Sequence, residues 1–335
     1  MSTYRWLTKL ISRRQRRRPV ILSYHRVAEP EWDPWGLAVS PRNFAEQLDV
    51  LQRTRTILAL DELVNRLERG TLPPDAVAVS FDDGYRDNLT VAKPLLESYG
   101  IAATVFIATG AIGADIGFWW DELADMVLGA PEIRGVLRSC DLPIELSAIE
   151  DTDDRRWRVE AGAVSSRQVL YIEAWRRLKA ADEDARTAAM AEFRDVLGRA
   201  TPKPDALPMG EEELVSLIDG GLIGIGAHTV HHPALSSIPR DRQQAEILES
   251  RRACREIAGD AVRGFAYPYG DRSRPVIESV RACGFAWACS TESTAIAGHD
   301  IHDLPRVQVL DWDGDTFSDK LSALEAAPGS LHGHG

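Results

Sequence analysis

VAVSFDDG, residues 77–84, decides how this 335-residue chain is read. Its first five residues form a run that is apolar except for Ser80, preceded by the Pro73-Pro74 pair and followed by Asp82-Asp83-Gly84. That pattern predicts a buried strand ending in a turn, with Gly84 free to take the turn conformation. A helix is expected over Asn88–Tyr99, stopped by Gly100. Outward from this unit the alternation continues. Val20–Tyr24, Thr56–Leu60, Ala103–Ala108, Leu222–Gly226, Gly264–Tyr267, Phe285–Cys289 and Val307–Leu310 read as strands. Helical patterns lie between them: Phe44, Leu48 and Leu51 after Asn43 as N-cap; Leu63, Val64 and Leu67 after Asp61 as cap; Asp241–Ile257; and Pro275–Cys283. About seven or eight β-α units predict an α/β fold with a parallel sheet or barrel.

Side chains able to do chemistry follow the C-terminal ends of several separate strands: His25, Asp82, Asp83, His228 and Tyr269. Barrel enzymes collect their sites on that rim, and this favours a barrel. A doubly wound open sheet would also place sites there. From about Phe118 to Gly210 the alternation breaks. Two helical patterns, near Ser166–Lys179 and Asp182–Leu197, make this a largely helical insertion, closed by Pro202–Pro208. The domain layout is therefore a basic segment over 1–18, a barrel over 19–325 with the insertion at about 118–210, and a flexible tail over 326–335.

Composition narrows the class. Apolar residues make up 44 % and charged residues 27 %, which is ordinary globular usage. A net charge of −12 argues against a general nucleic-acid binder. Residues 1–18 carry seven Lys/Arg and no acid; Arg13, Arg14, Arg16, Arg17 and Arg18 could meet an anionic membrane surface, or could be a solvated end. No apolar run is long enough to span a membrane. The basic cluster follows the apolar residues Trp6, Leu7, Leu10 and Ile11 instead of preceding them, so the segment fails as a signal peptide. The expected setting is cytoplasmic, with the inner membrane face as one location. Cys140, Cys254, Cys283 and Cys289 show no paired spacing and read as reduced thiols. Gly220–Gly226 is glycine-dense but lacks the dinucleotide-binding spacing.

Adjacent carboxylates at a strand end repel unless a cation or donor intervenes. One of Asp82 and Asp83 can ligate a metal while the other stays free as a base; a helix cap or Asx-turn is the structural alternative. His228 and His232 stand at i, i+4, on one side of a helical turn, as metal ligands often do. His231 points elsewhere and is expected in an outer or exposed role. One Asp and two His leave positions open on a metal, the pattern of a hydrolytic site. The set suits Zn, with Co, Ni or Fe(II) also compatible. Tyr267-Pro268-Tyr269-Gly270 could line a pocket with backbone N–H groups and aromatic faces.

Three ordered segments, VSFDDGYRDN (79–88), AHTVHHPAL (227–235) and FAYPYG (265–270), resemble the polysaccharide deacetylase family (NodB homology domain, carbohydrate esterase family 4). The likeness runs from ILSYHRV (21–27) to LPRVQV (304–309), except in the insertion. The resemblance implies a distorted (β/α)7 barrel with metal ligands Asp83, His228 and His232. It implies Asp82 as general base and Tyr269 as the residue whose backbone N–H meets the oxyanion. It also implies His25, in a YH pair, as general acid. The sequence departs from the common pattern at Ala266, where many members carry Arg, and the later Asp–Trp and Leu-x-His elements are missing. Leu331-His332 is not assigned to the latter. Arg306, or else Arg263, is expected to orient Asp82.

The implied activity is metal-dependent removal of an N-acetyl group from an amino sugar, with an N-acetylated carbohydrate as partner. A lipid-linked or nucleotide-linked glycan, or a nascent surface polysaccharide, suits the expected setting. Trp32, Trp35, Trp119 and Trp120 could stack on sugar rings or pack in the core. Two other readings are an amidohydrolase of the same fold acting on a non-sugar amide and a non-catalytic carbohydrate-binding barrel.

Overall fold

The computed structural model describes residues 17–130, 133–138, 142–146, 153–198 and 203–326. The expected membrane-facing Arg13, Arg14 and Arg16, Cys140, and the tail beyond 326 with Leu331-His332 lie outside the described residues. The barrel strands are β1 (Val20–Tyr24), β2 (Thr56–Ile57), β3 (Ala76–Phe81), β4 (Ala103–Ile107), β5 (Ile223–Ala227), β6 (Gly264–Ala266), β7 (Trp287–Cys289) and β8 (Val307–Gln308). All are parallel, in the order β7-β6-β5-β4-β3-β1-β8, with β2 beside the start of β3. The seam lies between β7 and β8, where Cys289 pairs in parallel with Leu304 on the segment entering β8. This is the distorted (β/α)7 barrel.

β3 is buried along its whole length, which is why it reads as a continuous apolar run instead of an alternating one. Helices α1 (Pro41–Thr54), α2 (Leu60–Glu68) and α3 (Lys93–Tyr99) follow the first strands. α1 starts earlier than its sequence pattern suggests, because Ser40 is the N-cap, while the Asn43 amide bonds Asp311 at 2.8 Å. The strand expected over Thr56–Leu60 stops at Ile57, since α2 begins at Leu60. Asp61 is no cap; it accepts from Trp287 Nε1 at 2.7 Å. Between Asn88 and Ala92 the expected helix is a π-helical turn, and α3 then runs to Gly100, which is left-handed at φ 64°.

Val20, Leu22, Tyr24, Val77, Val79, Phe81, Val105, Ile225 and Phe265 face the surrounding helices in the largest apolar cluster. Ile21, Ala78, Phe106, Ala266, Trp287 and Cys289 form a separate interior cluster. Bulky interior side chains need small neighbours. A Cβ on Gly226 would come within 2.4 Å of the Phe106 ring, and one on Gly264 within 2.0 Å of Trp287.

The insertion carries α4 (Trp119–Leu128), α5 (Ser166–Ala180) and α6 (Glu183–Leu197). It also holds an antiparallel hairpin, Ile133–Leu137 with Leu142–Leu146, so it is less purely helical than the sequence suggests. Its own core gathers Leu123, Val127, Leu170, Tyr171, Phe193 and Trp32. α7 (Glu211–Ile218), α8 (Arg240–Ala258), α9 (Arg274–Ala282) and α10 (Gly314–Ala326) complete the fold. No helix among the described residues is long and apolar enough to cross a membrane.

Candidate active site

Strand alternation assembles the site. Ile21 and Ser23 point away from the helix layer, and His25 continues that register beyond β1. In the same way Asp82 follows Ala78 and Ser80 beyond β3, and His228 follows Gly224 and Gly226 beyond β5. The Asp82 N–H donates to Tyr24 O at 3.0 Å and the His228 N–H to Ile107 O at 2.9 Å, so the parallel pairing holds past the strand ends.

Asp83, His228 and His232 come together. Asp83 Oδ1 lies 3.7 Å from His228 Nε2 and 3.4 Å from His232 Nε2, and the two Nε2 atoms are 3.1 Å apart. All three side chains are buried. His228 Nδ1 faces Ala266 O at 2.8 Å; as a donor there, it leaves Nε2 with a lone pair turned into the cluster. Asp83 Oδ1 is buried without a hydrogen-bond partner. A carboxylate oxygen with no donor, facing imidazole nitrogens, is costly unless a cation sits among them. Burial, then the charges of Asp82 and Asp121, raise Asp83 well above the usual carboxylate range. Burial lowers both imidazoles and favours the neutral form that ligates. The three residues therefore fit a divalent cation, and such an ion would reverse the burden on Asp83.

Asp82 is held differently. Arg306, fully buried, grips it with Nη1 to Oδ1 at 2.6 Å and Nη2 to Oδ2 at 2.7 Å. The guanidinium is itself fixed by Ser290 O at 3.0 Å and Ser80 Oγ at 3.2 Å. Burial alone would raise the Asp82 pKa, but the Arg306 charge, with His228, outweighs it and keeps the carboxyl ionised. Arg263, the other candidate for this task, instead lies 3.7 Å from Asp61. His25 Nε2 stands 4.0 Å from Asp82 Oδ2, and burial pushes its pKa down to about 4 against the pull of Asp82. His231 turns away from the cluster and pairs with Glu246 Oε1 at 2.7 Å. Tyr269 packs its ring 4.5 Å from that of His232, and its hydroxyl is buried without a partner.

Four non-glycine residues with positive φ occur among the described residues: Asp83 (72°), Thr229 (66°), His232 (55°) and Tyr269 (58°). All four stand at this site. Such conformations cost about 1–3 kcal/mol each and persist only where the surroundings enforce them. Thr229 helps enforce its own loop, since its Oγ1 accepts the His232 N–H at 3.0 Å. Gly84 (87°) is the turn residue its sequence context suggests, and a Cβ there would come within 2.9 Å of Ile107.

The VSFDDGYRDN segment also contains supports that sequence reasoning did not single out. Trp120 Nε1 donates to Tyr85 Oη at 2.7 Å, and Tyr85 donates to Asp121 at 2.8 Å. Asp87 pairs with Arg26 at 2.9 Å, and Asn88 Nδ2 donates to His25 O at 2.8 Å. The Trp120 ring lies 4.8 Å from that of His232.

His25, Asp82, Asp83, His228, His232 and Tyr269 line a cavity of about 280 Å³. Trp35 and Trp120 are in its wall, whereas Trp32 belongs to the insertion core and Trp119 lines a neighbouring cavity. Trp175 and Lys179 of α5, Glu160, Thr291 and Gln308 complete it. Their sequence signal was only the spacing of Tyr171, Trp175 and Lys179 on one face of α5.

Solved structures share this fold. Streptococcus pyogenes deacetylase PplD in complex with acetate is 17 % identical, with a TM-score of 0.58 over 91 % of this chain and 98 % of that one. IcaB from Ammonifex degensii is 19 % identical, with a TM-score of 0.57 over 93 % and 98 %. A de-N-acetylase from Aggregatibacter actinomycetemcomitans is 14 % identical, with a TM-score of 0.55 over 91 % and 99 %. No curated protein matches the sequence significantly. The family model described as polysaccharide deacetylase matches residues 69–133 and 191–288, two blocks that flank most of the insertion. Those blocks contain Asp82, Asp83, His228, His232 and Tyr269, so the residues of the site lie within the part of the chain that matches the polysaccharide deacetylase family.

Proposed function

We propose that this chain is a metal-dependent hydrolase that removes the N-acetyl group from an amino sugar of a glycan and releases acetate. The observation that carries the reading is the buried Asp83–His228–His232 cluster beside a second carboxylate, Asp82, that Arg306 keeps ionised. A divalent cation held by the cluster, Zn in the first instance with Co, Ni or Fe as alternatives, would polarise the acetamido carbonyl and make water more acidic.

The chain's own residues do the rest. Asp82 accepts a proton from the attacking water as the new C–O bond forms. Arg306 keeps both carboxylate oxygens in place through that transfer. The Tyr269 backbone N–H is assigned to the developing oxyanion. The proton that Asp82 took from water returns through His25, neutral at rest because of its burial and 4.0 Å from Asp82, to the leaving nitrogen as the C–N bond breaks. Acetate and a free amine result. The setting proposed is cytoplasmic, at the inner membrane face, and rests on the basic stretch that includes Arg17 and Arg18; flotation with anionic vesicles tests it.

Metal content and acetate release across a panel of N-acetylated oligosaccharides test the reading, with Asp82→Asn as control. Acetate release that needs both metal and Asp82 supports it. Hydrolysis confined to a non-sugar amide would instead make the chain an amidohydrolase of this fold. Stoichiometric metal without hydrolysis of any amide would make it a carbohydrate-binding barrel.

A further inference from the structure

We propose that Lys179 forms an anion subsite in the active-site cavity, which selects glycans carrying a carboxylate or phosphate beside the N-acetylated sugar. This deepens the deacetylase reading and rests on it for the reaction, though not for the binding.

The argument begins with α5. Residues four apart on a helix share a face, so Tyr171, Trp175 and Lys179 form one stripe. Tyr171 anchors the stripe: it is fully buried in the insertion core, and its hydroxyl accepts from Trp35 Nε1 at 2.8 Å. One helical turn on, Trp175 lies 4.2 Å from the Trp35 ring and 6.0 Å from the Tyr269 ring. A further turn on, Lys179 Nζ sits 4.1 Å from the Tyr269 ring centroid and 5.0 Å from that of Trp175. The insertion thus roofs the cavity, and the ammonium is fixed between two aromatic faces.

Charge accounting in the cavity makes this ammonium distinctive. The acids lining it are Asp82, Asp83 and Glu160. Asp82 is neutralised by Arg306, and Asp83 belongs to the cation cluster. Glu160 is exposed, and among the described residues no ion pair joins it to Lys179. Lys179 itself has no ion pair among the described residues. An ammonium partly withdrawn from water, with Asp271 near enough to act on its charge but not in ion-pair contact, is a cost that a neutral ligand would increase and an anion would relieve. The aromatic walls around it, Trp35, Trp120 and Trp175, suit the apolar faces of sugar rings.

Calorimetric titration of the metal-loaded protein tests the subsite with three probes. They are N-acetylglucosamine 6-phosphate, an oligosaccharide alternating N-acetylglucosamine with glucuronic acid, and a neutral N-acetylglucosamine oligomer of equal length. At least one anionic probe is expected to bind about tenfold more tightly than the neutral one. Which of the two does so identifies phosphate or carboxylate as the source. Lys179→Met should erase that preference and leave the neutral probe within about twofold, while Lys179→Arg should retain it. Equal binding of all probes, no binding of either anion, or undiminished anion binding by Lys179→Met would overturn the subsite. The last result would place the anion at the Asp83 cluster instead. Acetate release is measured separately. Lys179-dependent anion binding without acetate release from any probe would sink the deacetylase reading and spare the subsite. Acetate release without anion preference would do the reverse.

Discussion

Arg306 and Asp82 are far apart in the sequence, yet they share two parallel hydrogen bonds of 2.6 and 2.7 Å in the barrel interior. Both partners are almost fully buried. This geometry makes Asp82 an anion of fixed orientation beside the cation cluster. Removing one partner of a buried pair leaves an uncompensated charge and costs about 3–5 kcal/mol. Arg306→Met is expected to lose stability on that scale in urea unfolding and to lose turnover. Arg306→Lys keeps the charge but not the two-pronged grip. Its expected signature is near-normal metal content with kcat at least about tenfold lower. An Arg306→Met protein as stable and active as the parent would show that the pair has neither role.

The cluster and the base should separate in experiment. Asp83→Ala, His228→Ala and His232→Ala are each expected to lose bound metal and turnover together, because each would remove a ligand of the proposed metal site. Asp82→Asn should retain metal and lose turnover by about 10²–10⁴-fold, the usual worth of a positioned general base. Metal analysis by mass spectrometry, alongside acetate release, checks both. Retention of a full equivalent by Asp83→Ala would place the ion elsewhere.

The parts of this site legible in the sequence are those set by local rules. His25, Asp82 and His228 continue the two-residue alternation of their strands, so a reader who locates the strands locates them. His232 follows from its spacing to His228. Arg306 could be nominated only because an expected partner at position 266 is Ala. The contribution of α5 was not legible. Trp175 and Lys179 meet Trp35 and Tyr269 through tertiary packing of an insertion whose pattern shows helices but not where they dock. The left-handed backbone at Asp83, Thr229, His232 and Tyr269 was equally hidden, since none is a glycine and the β-branched Thr229 and bulky Tyr269 disfavour it outright. Local preference gives way here to the demands of the site.

Thr229 shows how much that strained backbone depends on single bonds. Its hydroxyl accepts the His232 N–H at 3.0 Å while Thr229 itself is fully buried. Thr229→Val preserves volume and removes the acceptor. An unsatisfied buried N–H costs about 1–3 kcal/mol, and disturbed support for a ligand weakens metal affinity by about 10–100-fold. Urea unfolding and competitive metal titration measure the two effects. Unchanged metal affinity in Thr229→Val would mean that the loop is held in place without this bond.

A pH effect should arise away from the reacting groups, at Asp125 on α4. Burial raises its pKa to about 6, and the partial compensation from Lys203 is smaller. A carboxyl raised in the folded state favours folding while it is protonated. That contribution is fully present below the unfolded value near 4 and is lost as pH rises through about 6. Asp125→Asn cannot ionise and lacks this pH-dependent term. Its stability relative to the parent should therefore improve between pH 4 and pH 7, by about 1–2 kcal/mol once solvent screening of a partly exposed group is allowed for. Urea midpoints of the two proteins at pH 4.5 and 7.5 decide the matter. A gap between them that does not change with pH would show that Asp125 titrates as an ordinary surface acid.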